Sequence, residues 1–177
     1  MPTVQDCHLL AAYNADMNRK LYDAAARLPA LELGADRGAF FGSLLGTMNH
    51  LVAGDTIWLT RFARHPAAFT ALAELREAPI PTSLTQSYGD DLPTLQAHRA
   101  RLDGFITGLA AELTTAHLDT PLTYRSTRGV EYRKHFGSVL LHLFNHQTHH
   151  RGQASTLLTQ AGIDIGVTDL LLLVDDV

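Results

Sequence analysis

Ten of the 177 residues are histidines, and four of the ten lie close together near the end of the chain. His142, His146 and His150 follow one another at intervals of four, with His149 beside them. On a helix, residues four apart have Cβ atoms about 5–6 Å apart. Two imidazoles at that spacing can bind one divalent ion at about 2.0–2.1 Å from each nitrogen. The spacing therefore predicts metal binding by this segment.

The apolar residues of the same segment indicate which two histidines face inward. His150 shares a stripe with Leu143, and His146 borders that stripe. His142 and His149 lie on the flank, about 80° and about 100° around the helix from His150. We therefore expect His146 and His150 to be the inward-facing pair.

A firm metal site needs a third ligand from another element, and His50 is the strongest candidate. Gly46 lies one turn before it and Gly54 one turn after it. Small residues around an inward imidazole let another helix approach, or leave space over an ion, as in bundles whose ligands project inward. A core histidine that is hydrogen-bonded to a neighbour has the same pattern. Spacing alone leaves both interpretations open.

Four segments with helical periodicity must position these histidines. They cover about residues 4–28, 40–64, 90–113 and 135–160, and helix-stop residues follow three of them: Pro29, Pro66 and Gly162. The linker 65–88 contains a possible helical turn at 71–76. Runs at 122–125 and 130–133 flank a turn and predict a small hairpin. We predict an all-α fold, a four-helix bundle in a single domain (1–177), with this hairpin between helices three and four.

Composition and charge exclude several classes of function. The chain has 14 Lys and Arg against 18 Asp and Glu, a net charge of −4, which disfavours nucleic-acid binding. The longest aliphatic run, 170–174, is too short to span a membrane. Cys7 is the only cysteine, and the start MPTVQDCHLL lacks the features of a signal peptide. We expect a cytoplasmic protein without nucleic-acid or membrane partners.

Several stretches resemble the damage-inducible DinB-like (YfiT-like) family. They are Asp36-Arg-Gly-Ala-Phe-Phe-Gly-Ser, Met48-Asn-His-Leu, and the run from Leu141 to Gln153 with its His-x-x-x-His-Arg-Gly-Gln ending. Ala12-Tyr-Asn-Ala and Thr168-Asp-Leu-Leu are similar to it too, so the resemblance spans nearly the whole chain. It implies a four-helix bundle with a three-histidine metal site, whose ligands here would be His50, His146 and His150. The family name records induction by DNA damage and implies no polymerase.

Three nitrogen ligands leave a coordination position open, whereas structural zinc sites usually have four protein ligands. Such a site suits one divalent ion, Zn²⁺ or Ni²⁺. The resemblance implies a metal-dependent enzyme that acts on a small molecule, as a thiol S-transferase using a low-molecular-weight thiol or as a hydrolase. The alternative is a non-catalytic metal-binding or stress-response protein whose ion stabilises the bundle.

The sequence assigns no catalytic residue around this site. Asp55 lies about 140° around its helix from His50, too far to be a convincing general base. Glu131 and Tyr132 of the predicted hairpin could reach the mouth of the site. Arg151 and Gln153 could orient the ligands, bind an anion or simply pack.

Other polar and apolar residues have simpler interpretations. Asn14 and Asn18 could bond a ligand imidazole or, more simply, link two helices. Trp58 and Tyr13 are interpreted as core aromatics. The aliphatic run 170–174, together with the family resemblance, predicts a homodimer unless this segment folds back on its own bundle.

Overall fold

The computed structural model describes residues 1–176, most of which lie in helices. The described chain contains α1 (Val4–Ala25), α2 (Ala30–Leu33), α3 (Leu44–Phe62), α4 (Leu92–Glu112), α5 (Thr115–Asp119) and α6 (Phe136–Gln160). Short 3₁₀ helices cover Thr70–Leu75 and Leu170–Leu173. The strands β1 (Pro121–Arg125) and β2 (Glu131–His135) form an antiparallel hairpin, in which Thr123 pairs with Arg133. The predictions of a mostly helical protein and of a small hairpin before the last helix are confirmed.

Polar side chains determine where three of the long helices begin. Thr3, Ser43 and Asp91 have extended backbones, and each side chain accepts a hydrogen bond from the backbone N–H three residues later. This bond satisfies a donor that the first turn of a helix leaves free, and it typically contributes about 1 kcal/mol. α1, α3 and α4 therefore start one residue after these caps.

Two predicted helices were too long. α3 begins at Leu44, not near residue 40, because Gly42 has a positive φ of 75° and Ser43 is the N-cap. Phe41 consequently lies in the loop before the helix. α1 ends at Ala25, three residues earlier than predicted, and the chain turns before Pro29.

The four long helices pack against one another around an apolar core. α1 and α3 each contact both α4 and α6. Each helix contributes fully buried side chains, including Leu21, Met48, Ile106 and Leu143. Burying a side chain of this size stabilises a fold by about 1.5–3 kcal/mol. The interdigitated faces thus fix α3 and α6 side by side, with the predicted histidines on these two helices.

A group of polar side chains crosses this core, and we call it the polar layer. Each long helix contributes to it, through Asn14 and Asn18 of α1, Asp55 of α3, Arg99 and Asp103 of α4, and Gln147 and Arg151 of α6. Arg99 donates to Asp55 at 2.7 Å and pairs with Asp103 at 3.0 Å. Two carboxylates and two guanidinium groups balance the formal charge. Because all four helices are hydrogen-bonded into the layer, it restricts their rotation about their axes.

The segment after α6 runs back along α1. The Tyr13 hydroxyl donates to the Thr168 carbonyl at 2.7 Å, and Lys20 donates to the Val167 carbonyl at 3.0 Å. The side chains that follow, Leu171 to Val174, remain exposed. Within residues 1–176, none of the helices combines the length and the apolar character needed to cross a membrane.

Candidate metal centre

The structure brings His50 of α3 together with His146 and His150 of α6. Nε2 of His50 lies 3.1 Å from Nε2 of His146 and 3.1 Å from Nε2 of His150. One ligand atom from each residue lies within 4.8 Å of the other two, so the group could hold a metal ion. We call these residues the three-histidine group. His50 is buried and the other two are half-buried.

The protonation of these rings fits a cation at their meeting point. Nδ1 of His50 lies 3.0 Å from the carbonyl oxygen of Leu84, which can only accept a hydrogen bond. Nδ1 therefore carries the proton, and Nε2 presents a lone pair to the other rings. Nδ1 of His150 is paired in the same sense with Oε1 of Gln153 at 2.8 Å. Lone pairs that face each other repel unless a proton or a cation lies between them.

The spacing of the nitrogens agrees with this interpretation. Two nitrogens bound about 2.05 Å from one ion, with an angle of about 90–110° between them, lie roughly 2.9–3.4 Å apart. Both measured Nε2 separations, 3.1 Å, fall inside that range. The donor set thus fits a divalent ion that accepts imidazole nitrogen.

Burial keeps the three rings neutral, which is the form that binds metal. It lowers the pKa of His50 and of His150 below the ordinary value. For His146, burial and then the neighbouring His150 and His50 lower the pKa to about 3. The rings therefore stay neutral, with one nitrogen free to bind metal, at neutral pH.

The two glycines around His50 each make room for a particular group. A Cβ atom at Gly54 would lie 2.7 Å from Cε1 of His146, so only glycine leaves space for that ring. A Cβ atom at Gly46 would overlap the carbonyl oxygen of Phe41. The close approach expected from these small residues is confirmed, with α6 at Gly54 and with the preceding loop at Gly46.

Two loops complete the surroundings of His50. The ring of Phe41 stacks on the His50 imidazole, with centroids 3.9 Å apart and planes 18° apart. The loop that carries Leu84 is held by Asn49, whose Oδ1 accepts from the backbone of Tyr88 at 2.6 Å. The Asn49 side chain also donates to the carbonyl of Gly89 at 2.9 Å. Asn49 therefore fixes the loop whose carbonyl orients its neighbour His50.

A cavity of about 270 Å³ opens beside the three-histidine group. Its walls come from α3, α6, the hairpin and the loop at Leu84, and the lining residues are His50, Gly54, Ile57, Trp58, Arg61, Leu84, Tyr124, Ser126, Thr127, Tyr132, His142 and His146. The lining includes two residues of the three-histidine group and, among the described residues, no carboxylate. A small molecule in this cavity would lie directly against the histidines.

The remaining polar candidates lie in different places. Asp55 is fully buried in the polar layer, where it accepts hydrogen bonds from Arg99 and Gln147. Arg151 donates to Asn14 and to Asn18, so both asparagines link helices and neither bonds a ligand imidazole. The simpler interpretation of these residues is confirmed.

Gln153 does orient a histidine, as one of its interpretations proposed. Besides accepting from His150, its side chain lies 3.3 Å from Nε2 of His149. His142 and His149 stay outside the three-histidine group, although His142 lines the cavity.

The residues expected at the mouth of the site divide into two groups. Tyr132 lines the cavity, whereas Glu131 is exposed and pairs with Arg125 at 3.6 Å. Trp58 was interpreted as a core aromatic, but it is half-buried and lines the cavity as well.

Phe41, Leu84 and Arg61 were not predicted as residues of the site. Phe41 continues the apolar pattern of the helix that follows, Leu84 acts through a backbone carbonyl that every residue has, and an arginine on an apolar stripe suggests packing first.

The fold and this site together define a helical protein whose three-histidine group suits a divalent metal. The chain belongs to the DinB family, whose model matches residues 1–175 of the 177. This confirms the family resemblance found in the sequence. Among curated proteins, none matches the chain.

Proposed function

We propose that this protein binds one divalent ion, Zn²⁺ or Ni²⁺, through His50, His146 and His150, and is an enzyme of the thiol S-transferase type. The observation that carries the proposal is the position of the three-histidine group at the wall of a cavity of about 270 Å³. An ion with a purely structural role needs no such access. A bound divalent ion would lower the pKa of a thiol or of a water molecule placed beside it.

The protein's own cysteine is not placed to supply the reacting thiol. Cys7 is fully buried in the core, and burial raises the pKa of its thiol to about 11. The thiol must therefore come from a second, low-molecular-weight substrate. In the transfer, the thiolate sulfur forms a bond to an electrophilic carbon, the leaving group departs with its electron pair, and the thiol proton passes to solvent.

The cavity lining favours thiol transfer over the alternative, metal-dependent hydrolysis. Water has an ordinary pKa of about 15.7, against about 8.5 for a thiol, so even beside a metal an attacking water gains more from a positioned general base. Among the described residues, no aspartate or glutamate lines the cavity, and the buried Asp55 is committed to Arg99 and Gln147. A thiol that ionises beside a metal needs no such base.

The proposal extends to the arrangement of the helices and to the cellular compartment of the protein. We propose that α1, α3, α4 and α6 form a four-helix bundle of the DinB type that makes up one domain, as their pairwise packing supports. A reaction that consumes thiols belongs in the cytoplasm, where such thiols stay reduced.

The test is a transfer assay on protein loaded with Zn²⁺ or with Ni²⁺. Cysteine, glutathione and coenzyme A would each be offered with 1-chloro-2,4-dinitrobenzene, and thioether formation would be followed by absorbance. We expect at least one thiol to react faster than without protein, and His50→Ala to abolish the gain. Loaded protein that accelerates no thiol, but melts at a clearly higher temperature than chelated protein, would support the non-catalytic alternative.

A further inference from the structure

Arg61 is a buried cation without an anionic partner. Its side chain is on α3, and the residue is 6 % exposed. Within residues 1–176 it forms no ion pair, and its Nε has no hydrogen-bond partner. A buried charge without a counter-charge is costly, so such groups are normally paired.

The other two buried arginines show what pairing looks like in this protein. Arg99 bonds Asp55 and Asp103, and Arg151 bonds Asn14, Asn18 and Gln147. Arg61 instead contacts aromatic rings, with its guanidinium carbon 4.6 Å from the centroid of Trp58 and 5.2 Å from that of Tyr124. These aromatic contacts hold the guanidinium group by cation–π attraction and do not use its N–H donors, and its Nε has no acceptor among the described residues.

Arg61 lies at the cavity beside the three-histidine group. Arg61 lines that cavity together with His50 and His146. On α3, Arg61 follows His50 by eleven residues, which places the two about 20° apart around the axis and about 16 Å apart along it. Because helical side chains tilt toward the N-terminus, the long Arg61 side chain reaches back toward the histidines. The cavity therefore has a histidine end and a guanidinium end.

The surfaces between these ends are apolar and aromatic, with hydroxyl groups at the hairpin. Ile57 and Trp58 of α3 lie between the two ends, and Tyr124, Ser126 and Thr127 come from the hairpin. The lining contains no carboxylate, and none of residues 1–176 forms an ion pair with Arg61.

We propose that this cavity takes a small molecule that carries a carboxylate, with Arg61 as the residue that binds it. The guanidinium would form two parallel hydrogen bonds to the carboxylate, as planar guanidinium groups do. At the histidine end of the cavity the proposal rests on the proposed function, because the reacting atom of the ligand would lie against the three-histidine group. The apolar part of the ligand would lie between the two ends, against the ring of Trp58.

Either substrate of a thiol transfer could supply the carboxylate. A thiol such as 3-mercaptopropionate has one, and so do many electrophiles that lack a thiol. The binding test therefore includes both kinds of probe, each beside its neutral amide. The pairs are 3-phenylpropionate with 3-phenylpropionamide, and 3-mercaptopropionate with 3-mercaptopropionamide. The pair that shows the larger preference identifies the substrate that carries the carboxylate.

Trp58 makes the measurement direct, because it is the only tryptophan and it lines the cavity. Each probe would be titrated into chelated protein and into Zn²⁺-loaded protein while Trp58 fluorescence is recorded. We expect the carboxylate of at least one pair to bind about tenfold or more tightly than its amide, since hydrogen bonds to charged groups are worth about 1.5–3 kcal/mol. Arg61→Met should remove this preference, and Arg61→Lys should keep part of it.

Arg101→Met is the matched control. Arg101 also lies over an aromatic ring, that of Phe105 at 5.5 Å, but it is exposed and pairs with Glu74 at 2.7 Å. This variant should keep the full preference. Should Arg61→Met fail to fold, the comparison of acid with amide in the wild type still decides the matter. Equal binding of acid and amide in both pairs, or a preference that survives Arg61→Met, would overturn the proposal.

Metal analysis of the same variants separates this inference from the proposed function. We expect Arg61→Met to keep the ion that the wild type binds, because Arg61 is not in the three-histidine group. Carboxylate binding that requires loaded protein and ignores Arg61 would refute the inference and leave the metal site standing. Carboxylate binding through Arg61 in a protein that never binds metal would support the inference and refute the proposed metal site.

Discussion

Each ring of the three-histidine group is held by a different neighbour. His50 is fixed by the Leu84 carbonyl and by stacking on Phe41, and His150 is fixed by Gln153. His146 is different, because its Nδ1 is buried and has no hydrogen-bond partner among the described residues. Its position depends on the space that Gly54 leaves, so it should respond most to changes in packing.

Gly54→Ala tests this dependence. The added methyl would lie 2.7 Å from Cε1 of His146, so the ring must move and metal affinity should fall by at least about tenfold. Alanine also favours a helix over glycine by about 1 kcal/mol, so the metal-free variant should stay folded. Calorimetric titration with Zn²⁺ and thermal unfolding of chelated protein measure the two effects separately.

Gly104→Ala is the control for this substitution. Gly104 lies in α4 and is exposed, and a Cβ atom there would meet nothing within 4 Å. The control should be as stable as the wild type or more so, with unchanged metal affinity. Unchanged affinity in Gly54→Ala as well would show that His146 is not held in the way described.

The pH dependence of the metal-free protein follows from the same burial. Burial lowers the pKa of His146 to about 3, whereas in the unfolded chain the value is about 6.5. Below pH 6.5 or so the unfolded state takes up a proton that the native state does not, so the free energy of unfolding decreases as pH falls. His146 alone should account for about 1.4 kcal/mol between roughly pH 7.5 and 5.5.

Urea unfolding of chelated protein at these two pH values gives the measurement. His146→Gln should lose that part of the pH dependence, while His149→Gln, outside the three-histidine group, should behave as the wild type. If His146→Gln has the same pH dependence as the wild type, His146 is not held neutral by burial.

The sequence predicts which helices form better than it predicts the residues at which they begin and end. Apolar periodicity identified all four long helices, because each must bury one face. The start of α3 was placed too early, because Phe41 continues the apolar pattern of the helix. The helix itself begins only after Gly42, which has a positive φ, and the N-cap Ser43. An aromatic residue that covers an imidazole from a loop looks, in sequence, like the next residue of a helical stripe.

The residues of the site also differ in how well the sequence predicts them. His146 and His150 could be predicted from their spacing, and Gly46 and Gly54 pointed to His50. The Leu84 carbonyl could not be predicted, since every residue has one and its use depends on how the loop folds. Arg61 also escaped prediction, because only the packed structure shows that it lacks a partner.

The polar layer holds α6 in the orientation that presents its histidines. Gln147 and Arg151 follow His146 and His150 directly, about 100° around the helix, and bond to Asp55 and to α1. Asp55→Ala should lower the free energy of unfolding by about 3–5 kcal/mol, because it leaves the buried Arg99 without one of its carboxylates. Urea unfolding measures the loss.

Replacing both partners provides the control. Asp55→Leu combined with Arg99→Met removes both charges, and should recover much of the stability that Asp55→Ala loses. A loss below about 1 kcal/mol in Asp55→Ala would mean that the pair holds the helices no better than an exposed ion pair.

Within residues 1–176, the segment after α6 presents an exposed apolar surface. Leu171, Leu172, Leu173 and Val174 are 76, 60, 40 and 47 % exposed, beside a groove lined by Leu9, Leu10 and Leu141. We propose that a second copy covers this surface, which gives a homodimer. Light scattering at micromolar concentration should give twice the chain mass, and Leu171→Asp with Leu172→Asp should give the monomer. A wild type of single-chain mass would refute the dimer.

Metal content tests the central claim most directly. Protein produced without a nickel-affinity step should contain close to one equivalent of Zn²⁺ or Ni²⁺ per chain by mass spectrometry. His50→Ala, His146→Ala and His150→Ala should each lose most of it, because two imidazoles hold an ion far less firmly than three. His142→Ala and His149→Ala should retain it. Full occupancy in His50→Ala would contradict the three-histidine site.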